Sequence, residues 1–347
     1  MRKFFFLLSG EYETLPAAEL KSVLRILDPS VKILESFFGR VLIAETFEEA
    51  ARRAVRRAAY TKLCGELIGK AESKPDKILE VLDEKSLSRV IHSNISTFAV
   101  RGKRIMGSRI DKLALERMIG EKVLKLRPEL RVDLEKPDLT IFFVAGKWKT
   151  FLGTLIELKP RHFFRDRVAG RRPFALPSAM QPDFSRAMVN LAEVKPGSRI
   201  LDPFAGTGGI MIEAESLGYE VYGVEIKNWI AEGALRNLKH YTLGREHIIT
   251  GDSRALMFRE ETFDAVVTDP PYGRSTTVPG QSVQILLDKF FAECLPLLKK
   301  KSKIVMATPA DEVKLEELSS AHGLRIREAH IARVHRSLVR KVVVLER

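Results

Sequence analysis

Four apolar, strand-like runs between residues 199 and 269 each lead into an acidic side chain. The runs alternate with stretches of helical periodicity, an order that predicts successive βα units and a mostly parallel sheet. The carboxyl ends of parallel strands share one edge of a sheet, and ligands of open α/β folds collect there. Singly, each acidic residue is more often a helix cap or a turn residue than a ligand. Together they predict one acidic site formed by Asp202, Glu225, Asp252 and Asp269.

The last apolar run, residues 265–268, is followed by Asp-Pro-Pro-Tyr-Gly at residues 269–273. The two prolines fix their own φ angles and cannot donate backbone hydrogen bonds, so their carbonyl groups are acceptors with set directions. Asp269 and a proline carbonyl can accept the two protons of an exocyclic amine, while Tyr272 can stack on the ring that carries it. This pattern predicts a site for a planar base with an NH2 group. The alternative is a proline-rich turn that ends a strand.

The first apolar run leads into Asp-Pro-Phe-Ala-Gly-Thr-Gly-Gly at residues 202–209, ahead of an apolar helix. Gly206 and Gly208 allow the backbone to approach a ligand, and the helix that follows points its N-terminal N–H groups toward the same place. The spacing is neither the Gly-x-Gly-x-x-Gly of dinucleotide sites nor a Walker loop, because no Lys-Ser or Lys-Thr follows. The carboxylate of Asp202 would repel a pyrophosphate. It favours the binding of a cationic group, such as the amino group of an amino acid.

These two motifs resemble those of the class I S-adenosylmethionine-dependent methyltransferases that methylate amines, over about residues 175–347. The resemblance implies a doubly wound, Rossmann-like α/β sheet and S-adenosylmethionine as cofactor, with S-adenosylhomocysteine as product. It implies that residues 202–208 hold the methionine part, that Glu225 and Ile226 hold ribose and adenine, and that Asp252 and Ser253 face the adenine edge. The implied cofactor-binding residues are Pro177, Ser178, Asp202, Pro203, Phe204, Ala205, Gly206, Thr207, Gly208, Glu225, Ile226, Asp252, Ser253 and Asp269. The implied catalytic residues are Asp269, Pro270, Pro271 and Tyr272.

The chain has 347 residues and a net charge of +13, which is distributed unevenly. Residues 1–170 carry 33 Lys and Arg against 23 Asp and Glu, so most of the excess lies outside the methyltransferase-like region. A basic region beside an amine methyltransferase indicates a polyanionic substrate, although a solvated basic surface is the alternative. No apolar run is long enough for a membrane span or a signal peptide, and we expect a cytoplasmic protein. The two cysteines are far apart and show no metal-ligand spacing, so no metal is expected.

The first 58 residues show a β-α-β-β-α order that predicts a small α+β unit of ferredoxin-like type. Residues 59–158 predict a second unit, in which Phe-Ala-Val-Arg-Gly-Lys-Arg at residues 98–104 and Val-Asp-Leu at residues 132–134 resemble the THUMP domain, an RNA-binding α/β module of tRNA-modifying enzymes. The resemblance implies capture of the acceptor end of a tRNA. Candidate phosphate contacts are Arg101, Lys103, Arg104 and Arg109, although each alone is more often solvated than bound.

Residues 159–174 form a predicted basic linker, and residues 175–347 the methyltransferase domain. Basic residues interleaved with aromatics in the linker suit single-stranded or flipped nucleic acid, whereas its phenylalanines are better explained by packing. Arg274, after the proline motif, could also face phosphate. The predicted RNA contacts of this half are Arg161, Arg165, Arg171, Arg172 and Arg274. The sheet is expected to end in an antiparallel hairpin, residues 324–332 and 338–345.

The three predicted domains, with Asp rather than Asn before Pro-Pro-Tyr-Gly, resemble the archaeal and eukaryotic enzymes that methylate N2 of guanosine at tRNA position 10. The resemblance implies that the chain methylates a tRNA guanine amine once or twice. We expect a monomer that binds tRNA, and a small activating subunit is a further candidate partner. The alternatives are another tRNA or rRNA guanine N2, adenine N6 in DNA, or an RNA-binding protein without activity. The sequence leaves the number of methyl groups and the oligomeric state open.

Overall fold

The computed structural model describes residues 1–241, 247–271, 283–309, 314–335 and 338–347. The chain forms two compact units, each assembled from more than one stretch of sequence. Unit 1 contains Met1–Ser9, Leu27–Arg56 and Thr61–Lys159, and unit 2 contains Gly10–Ile26, Arg57–Tyr60 and Pro160–Arg347. The four-part division into residues 1–58, 59–158, 159–174 and 175–347 stays a prediction.

Both units are built from helices and strands. Up to residue 158 they are β1 (Arg2–Leu8), α1 (Leu15–Leu27), β2 (Lys32–Phe37), β3 (Val41–Thr46), α2 (Glu48–Arg57), β4 (Thr61–Glu72), α3 (Pro75–Glu80), α4 (Glu84–Ser88), β5 (Thr97–Arg104), α5 (Lys112–Leu126), β6 (Arg131–Val132), β7 (Leu139–Ala145) and β8 (Lys149–Leu158). The later ones are α6 (Pro182–Leu191), β9 (Arg199–Asp202), α7 (Gly209–Glu215), β10 (Glu220–Glu225), α8 (Asn228–Tyr241), β11 (His247–Thr250), β12 (Phe263–Thr268), α9 (Val283–Cys294), β13 (Leu298–Pro309), α10 (Leu315–Ala321), β14 (Arg325–His335) and β15 (Leu338–Glu346). None of the helices in the described ranges is both long and apolar enough to cross a membrane.

Unit 1 is built on one eight-stranded sheet in the order β2-β3-β1-β4-β8-β7-β5-β6. Its pairs are antiparallel except that β5 runs parallel to β6 and β7. The predicted β-α-β-β-α order is present at the start of the chain, but β4 was not predicted. Because β4 pairs with both β1 and β8, the strands of the two predicted N-terminal domains share one sheet. Gly153 permits the close approach of β8 to β4, because a side chain there would collide with the Glu66 carbonyl.

Unit 2 contains a seven-stranded sheet in the order β11-β10-β9-β12-β13-β15-β14. Strands β9 to β13 are mutually parallel, and β14 and β15 form the expected antiparallel hairpin. The doubly wound, mostly parallel sheet predicted from the alternating pattern is therefore confirmed. Its chain order reverses between β9 and β12, and the crevice at the carboxyl ends of two such strands is where open α/β sheets bind ligands.

A buried carboxylate ties α1 into unit 2. Glu19 is fully buried and accepts hydrogen bonds from the backbone N–H groups of Ala59 (2.5 Å) and Tyr60 (2.9 Å), and from Asn190 Nδ2 (2.8 Å). Arg57 donates to Oδ1 of the same Asn190 at 3.0 Å. These bonds provide partners for the buried backbone N–H groups of residues 59 and 60, which would otherwise be unsatisfied.

Near the other end of α1, Glu193 forms ion pairs with several cationic side chains of unit 2. It lies 2.8 Å from Arg25 and 3.2 Å from Arg327, and it also pairs with Lys303. Burial opposes its ionisation, but the hydrogen bond and charge of Lys303, with Arg25 and Ser22, outweigh this and lower the pKa of Glu193 to about 2. The lowered pKa stabilises the fold above the carboxyl's ordinary pKa of 4.5, and this stabilisation is lost as the pH falls toward 2.

Replacing Glu19 with alanine should lower the free energy of unfolding by about 3–5 kcal/mol, because three buried donors lose their acceptor. Chemical denaturation monitored by circular dichroism measures this. Glu13→Ala is the matched control, because Glu13 is an exposed carboxylate just before the same helix. A loss below 1 kcal/mol for Glu19→Ala, equal to that of the control, would contradict the role assigned to Glu19.

Candidate active site

Asp202 is the most buried acidic residue of the predicted site. It ends β9, is 1% exposed, and its Oδ1 accepts hydrogen bonds from Thr268 Oγ1 at 2.7 Å and from the Phe204 N–H at 3.3 Å. Burial raises the pKa of Asp202 to about 7 against these two hydrogen bonds, and the charges of Asp269 and Glu225 add to the rise. A carboxylate in this setting gains from a cationic ligand, which would restore the charged form.

The glycine-rich loop after β9 follows the shape predicted for it. Gly206 and Gly208 have φ angles of +51° and +79°, which favour glycine. The Gly206 N–H donates to Glu225 Oε2 at 3.1 Å, and the Lys227 N–H donates to Oε1 at 2.9 Å. Glu225, at the end of β10, therefore holds the loop while remaining partly exposed. The loop after β9 is thereby bonded to the carboxyl end of the neighbouring β10.

The third acidic residue, Asp252, is paired within its own turn. Its carboxylate accepts from the Arg254 N–H and Nε at 2.9 Å, and lies 2.5 Å from Arg254 Nη2. The bonds from Arg254 lower the pKa of Asp252 and keep it ionised. A carboxylate has about four acceptor positions, so a further bond from an adenine amine is compatible with this pair. Ser253 is buried, whereas Ile226 is 53% exposed beyond β10.

Asp269 follows β12 next to the end of β9. Its side chain is 18% exposed, and Oδ2 lies 3.1 Å from Nη2 of Arg340 on β15. Pro270 is buried and Pro271 is half-buried, so the start of the proline motif is part of the folded sheet edge. Tyr272 and Arg274 lie outside the described residues. The structure thus brings Asp202 and Asp269 together at the carboxyl ends of adjacent strands, as the sequence predicted.

Asn237 on α8 was missed by the sequence analysis, although it links the loop to the segment that precedes α6. It is fully buried, accepts from the Phe174 N–H at 2.8 Å, and donates to the carbonyls of Phe174 (2.8 Å) and Thr207 (2.9 Å). Gly233, one turn earlier, leaves room for the Phe174 ring. The available signal was a lone asparagine on an otherwise apolar helix face. The exposed Pro177 and Ser178 follow this anchor point.

Most of the described basic candidates for RNA contact reach the surface. In unit 1, Lys103, Arg104 and Arg109 are exposed, and Arg101 is half-buried. In unit 2 the exposed candidates are Arg161, Arg165 and Arg171.

The prediction for Arg172 does not fit the structure. Its side chain is 6% exposed and donates to the carbonyls of Arg167 at 2.8 Å and Met180 at 3.3 Å. Burial also lowers the pKa of its guanidinium. Arg172 therefore fastens the two ends of its own segment, and the linker's basic composition concealed this role.

Two parts of the chain match known families. Residues 169–342 match the family described as "RMKL-like, methyltransferase domain", and residues 76–154 match the THUMP domain. The chain is 37% identical to the tRNA (guanine(10)-N2)-dimethyltransferase of Methanothermobacter thermautotrophicus, over 98% of both chains. It is 31% identical to the enzyme of the same name from Pyrococcus abyssi, over 99% of both chains. The crystal structure of TrmN from Thermus thermophilus superposes on this chain over the whole of both chains, with a TM-score of 0.55 and 22% identity. This likeness is one of fold.

The described residues fit S-adenosylmethionine. The buried Asp202 carboxylate offers a counter-ion for its α-ammonium group, and Glu225 offers acceptors for two ribose hydroxyls. The positive φ angles of Gly206 and Gly208 shape a cradle without side chains. Exposed Ile226 offers an apolar surface to adenine. All four features lie along the same edge of the unit 2 sheet.

We predict that S-adenosylhomocysteine binds about 10-fold more tightly at pH 8 than at pH 6, because the ligand's ammonium group requires an ionised Asp202. The sign follows from the raised pKa of about 7: binding at pH 6 must release a proton that is already absent at pH 8. Isothermal titration calorimetry in buffers of different ionisation enthalpy measures both the affinity and the released proton.

Asp202→Asn is the matched variant for this measurement, since it retains the shape and removes the titration. It should bind more weakly and with little change between pH 6 and pH 8. A wild-type affinity that is constant over this range, without proton release at pH 6, would show that Asp202 does not receive the ammonium group.

Proposed function

The chain belongs to the family of tRNA (guanine(10)-N2)-dimethyltransferases, and on this basis we propose that it methylates the exocyclic N2 of guanosine at position 10 of tRNA. The cofactor is S-adenosylmethionine, and the product is S-adenosylhomocysteine. The observation that carries this function is the placement of Asp269 directly after β12, beside the buried Asp202 that ends β9. We assign one carboxylate to the target amine and the other to the cofactor, at the switch point of one sheet.

The residues assigned to the reaction act by positioning and by charge. When bound, S-adenosylmethionine supplies an electrophilic methyl group. We assign Asp269 and the Pro270 carbonyl as acceptors for the two N2 protons, which draws electron density toward a nitrogen whose lone pair is otherwise conjugated into the ring. Most of the acceleration comes from alignment in a site shielded from water. The nitrogen becomes acidic after it has gained the methyl group, and Asp269 accepts the released proton.

A base within a tRNA helix must leave its stack to reach such a site. We assign stacking of the extruded guanine to Tyr272 and a phosphate contact to Arg274. We also propose two successive methyl transfers to the same nitrogen, in keeping with the name of the archaeal relatives. Monomethylguanosine has one remaining N2 proton. Asp269, after passing the first proton to solvent, is the acceptor that binds this proton and removes it when the second methyl group is transferred.

The oligomeric state, the need for a second subunit and the cellular compartment also stay predictions. We expect a monomer in the cytoplasm, and a small activating subunit is a candidate partner. Methylation of tRNA by the purified chain alone, with its mass determined by light scattering, tests the monomer and the need for a subunit together.

We predict that Asp269→Ala lowers kcat by about 100- to 10,000-fold, because an acceptor for the transferring amine is lost. Asp269→Asn keeps one oxygen acceptor and should fall between wild type and alanine. Single-turnover methylation of a tRNA transcript, analysed by mass spectrometry of its nucleosides, measures the rate and counts the methyl groups. S-adenosylhomocysteine affinity, measured by calorimetry, should change by less than about 5-fold and so confirms folding.

The substrate comparison in the same assay distinguishes the alternatives. Wild type should methylate tRNA with guanosine at position 10 and leave a transcript with adenosine there unmodified. Equal labelling of the two transcripts would contradict the proposed target. Methylated adenine in duplex DNA would favour the DNA methyltransferase alternative, and failure to bind S-adenosylmethionine would favour a protein that only binds RNA.

For unit 1, which contains the THUMP domain, we propose a tRNA contact that the sequence analysis missed. Phe38 and Trp148 are 63% and 56% exposed, and their ring centroids lie 5.3 Å apart. Lys147 Nζ lies 4.6 Å from the Trp148 ring centroid, and Lys149 is exposed nearby. Exposed aromatic rings among lysines suit an unpaired RNA base whose phosphate is neutralised beside it. The two aromatics come from the β2–β3 and β7–β8 connections, so no local sequence pattern joins them.

We predict that Phe38→Ala and Trp148→Ala each raise the KM for tRNA by about 5- to 100-fold with little change in kcat, since base stacking contributes about 1–3 kcal/mol. Phe47→Ala is the control, because Phe47 is 55% exposed on unit 1 outside the pair. Steady-state methylation kinetics measure these values. The same KM for all three variants would contradict a stacking role for the pair.

A further inference from the structure

Arg340 is a buried arginine held directly against Asp269. The residue is 8% exposed and lies on β15, where its backbone is paired with Pro309 of β13 and Ala332 of β14. Its Nη2 is 3.1 Å from Asp269 Oδ2, and its guanidinium carbon lies 5.8 Å from the ring centroid of Phe184. A strand interior and an aromatic ring therefore fix the direction of this guanidinium at the site of the target amine.

Stability alone is a weak explanation for this pair. Removing two charges from water costs several kcal/mol per ion, and a buried ion pair often contributes no more than apolar side chains of the same size. Arg340 lies beside the carboxylate assigned to the base, so its donors are next to the atoms by which that base is recognised. A guanidinium carries five N–H donors in a rigid plane and can hold a carboxylate and another acceptor at once.

The edge of guanine matches such a pair. Along one side it presents the N2 amine, the N1 proton and the O6 acceptor, in the order donor, donor, acceptor. A carboxylate can accept from the first two, and a guanidinium joined to that carboxylate is then next to O6, an oxygen that arginine commonly binds. Adenine, with the same edge turned to the pair, presents an acceptor at N1 to the carboxylate and an amine donor at C6 to the guanidinium, so neither hydrogen bond to the base would form.

We propose that Arg340 is a specificity-determining residue, which orients Asp269 and donates a hydrogen bond to guanine O6. This inference rests on the proposed function and adds to it a residue that recognises the guanine base. A guanidinium that only stabilised the fold would affect all target bases equally. A guanidinium that reads O6 affects guanine more than an analogue whose acceptor at that position is weak.

The test compares tRNA with guanosine or 6-thioguanosine at position 10, prepared by ligation of synthetic fragments. The analogue keeps the N2 amine and the N1 proton but replaces O6 with sulfur, a weak acceptor. Wild-type kcat/KM should fall about 10-fold or more on this replacement. Arg340→Met should be about 100-fold slower on guanosine and should show no further loss on the analogue, because the interaction with O6 is already absent.

Arg340→Lys covers the case in which the methionine variant folds poorly. It keeps a cation and a donor, and should recover part of the guanosine rate while showing a smaller sulfur penalty than wild type. Arg325→Met is the control: Arg325 is an exposed arginine of the adjacent β14, paired with Glu346 at the far end of β15. This control should keep both the wild-type rate and the full sulfur penalty. Calorimetry with S-adenosylhomocysteine verifies that each variant is folded.

A sulfur penalty in Arg340→Met or Arg340→Lys as large as that of wild type would overturn the inference. Unchanged guanosine kinetics in Arg340→Met would overturn it as well. Either result leaves the proposed function intact, because the wild type would still methylate guanosine at position 10. Absence of methylation by the wild type on that transcript contradicts the proposed function itself.

Discussion

The burial of the Asp202 carboxylate beside the end of β12 is the constraint from which the organisation of this site follows. Its oxygens are removed from water, its hydrogen bonds from Thr268 and Phe204 only partly compensate, and its pKa rises to about 7. A second carboxylate, Asp269, lies on the adjacent strand and repels the first. This concentration of negative charge favours a cationic ligand at one carboxylate and a cationic side chain at the other. The cationic side chain is Arg340, which pairs with Asp269. The cationic ligand is S-adenosylmethionine, whose ammonium group we assign to Asp202.

The surrounding fold makes this charge arrangement rigid. Asp202 ends one central strand and Asp269 directly follows the strand paired with it, whereas Glu225 and Asn237 both hold the glycine-rich loop by hydrogen bonds. Buried hydrogen bonds are costly to break, so the loop has little freedom to move away from the crevice. Unit 1 supplies a different property, an exposed basic and aromatic surface. One unit thus offers a fixed site for chemistry on a small group, and the other offers surface suited to a large polyanion.

Much of this organisation was predictable from the sequence because its signals are local. An apolar run followed by an acid identified the edge of the sheet, and the terminal hairpin was evident from two successive strand patterns. Strand β4 was missed because its charged and buried residues alternate imperfectly around two glycines. Arg340 was missed for another reason: its partner Asp269 is distant in sequence, and only the β13–β15 pairing brings them together. Arg172 shows the converse error, since a basic composition does not reveal which arginine is buried.

A structure of the protein with S-adenosylhomocysteine and tRNA tests the central claim most directly. We expect the extruded guanine with N2 within hydrogen-bond distance of Asp269, and the ligand's ammonium group against Asp202. This expectation would be contradicted by a guanine held elsewhere, or by Asp202 remaining sealed in the core without contact to the ligand.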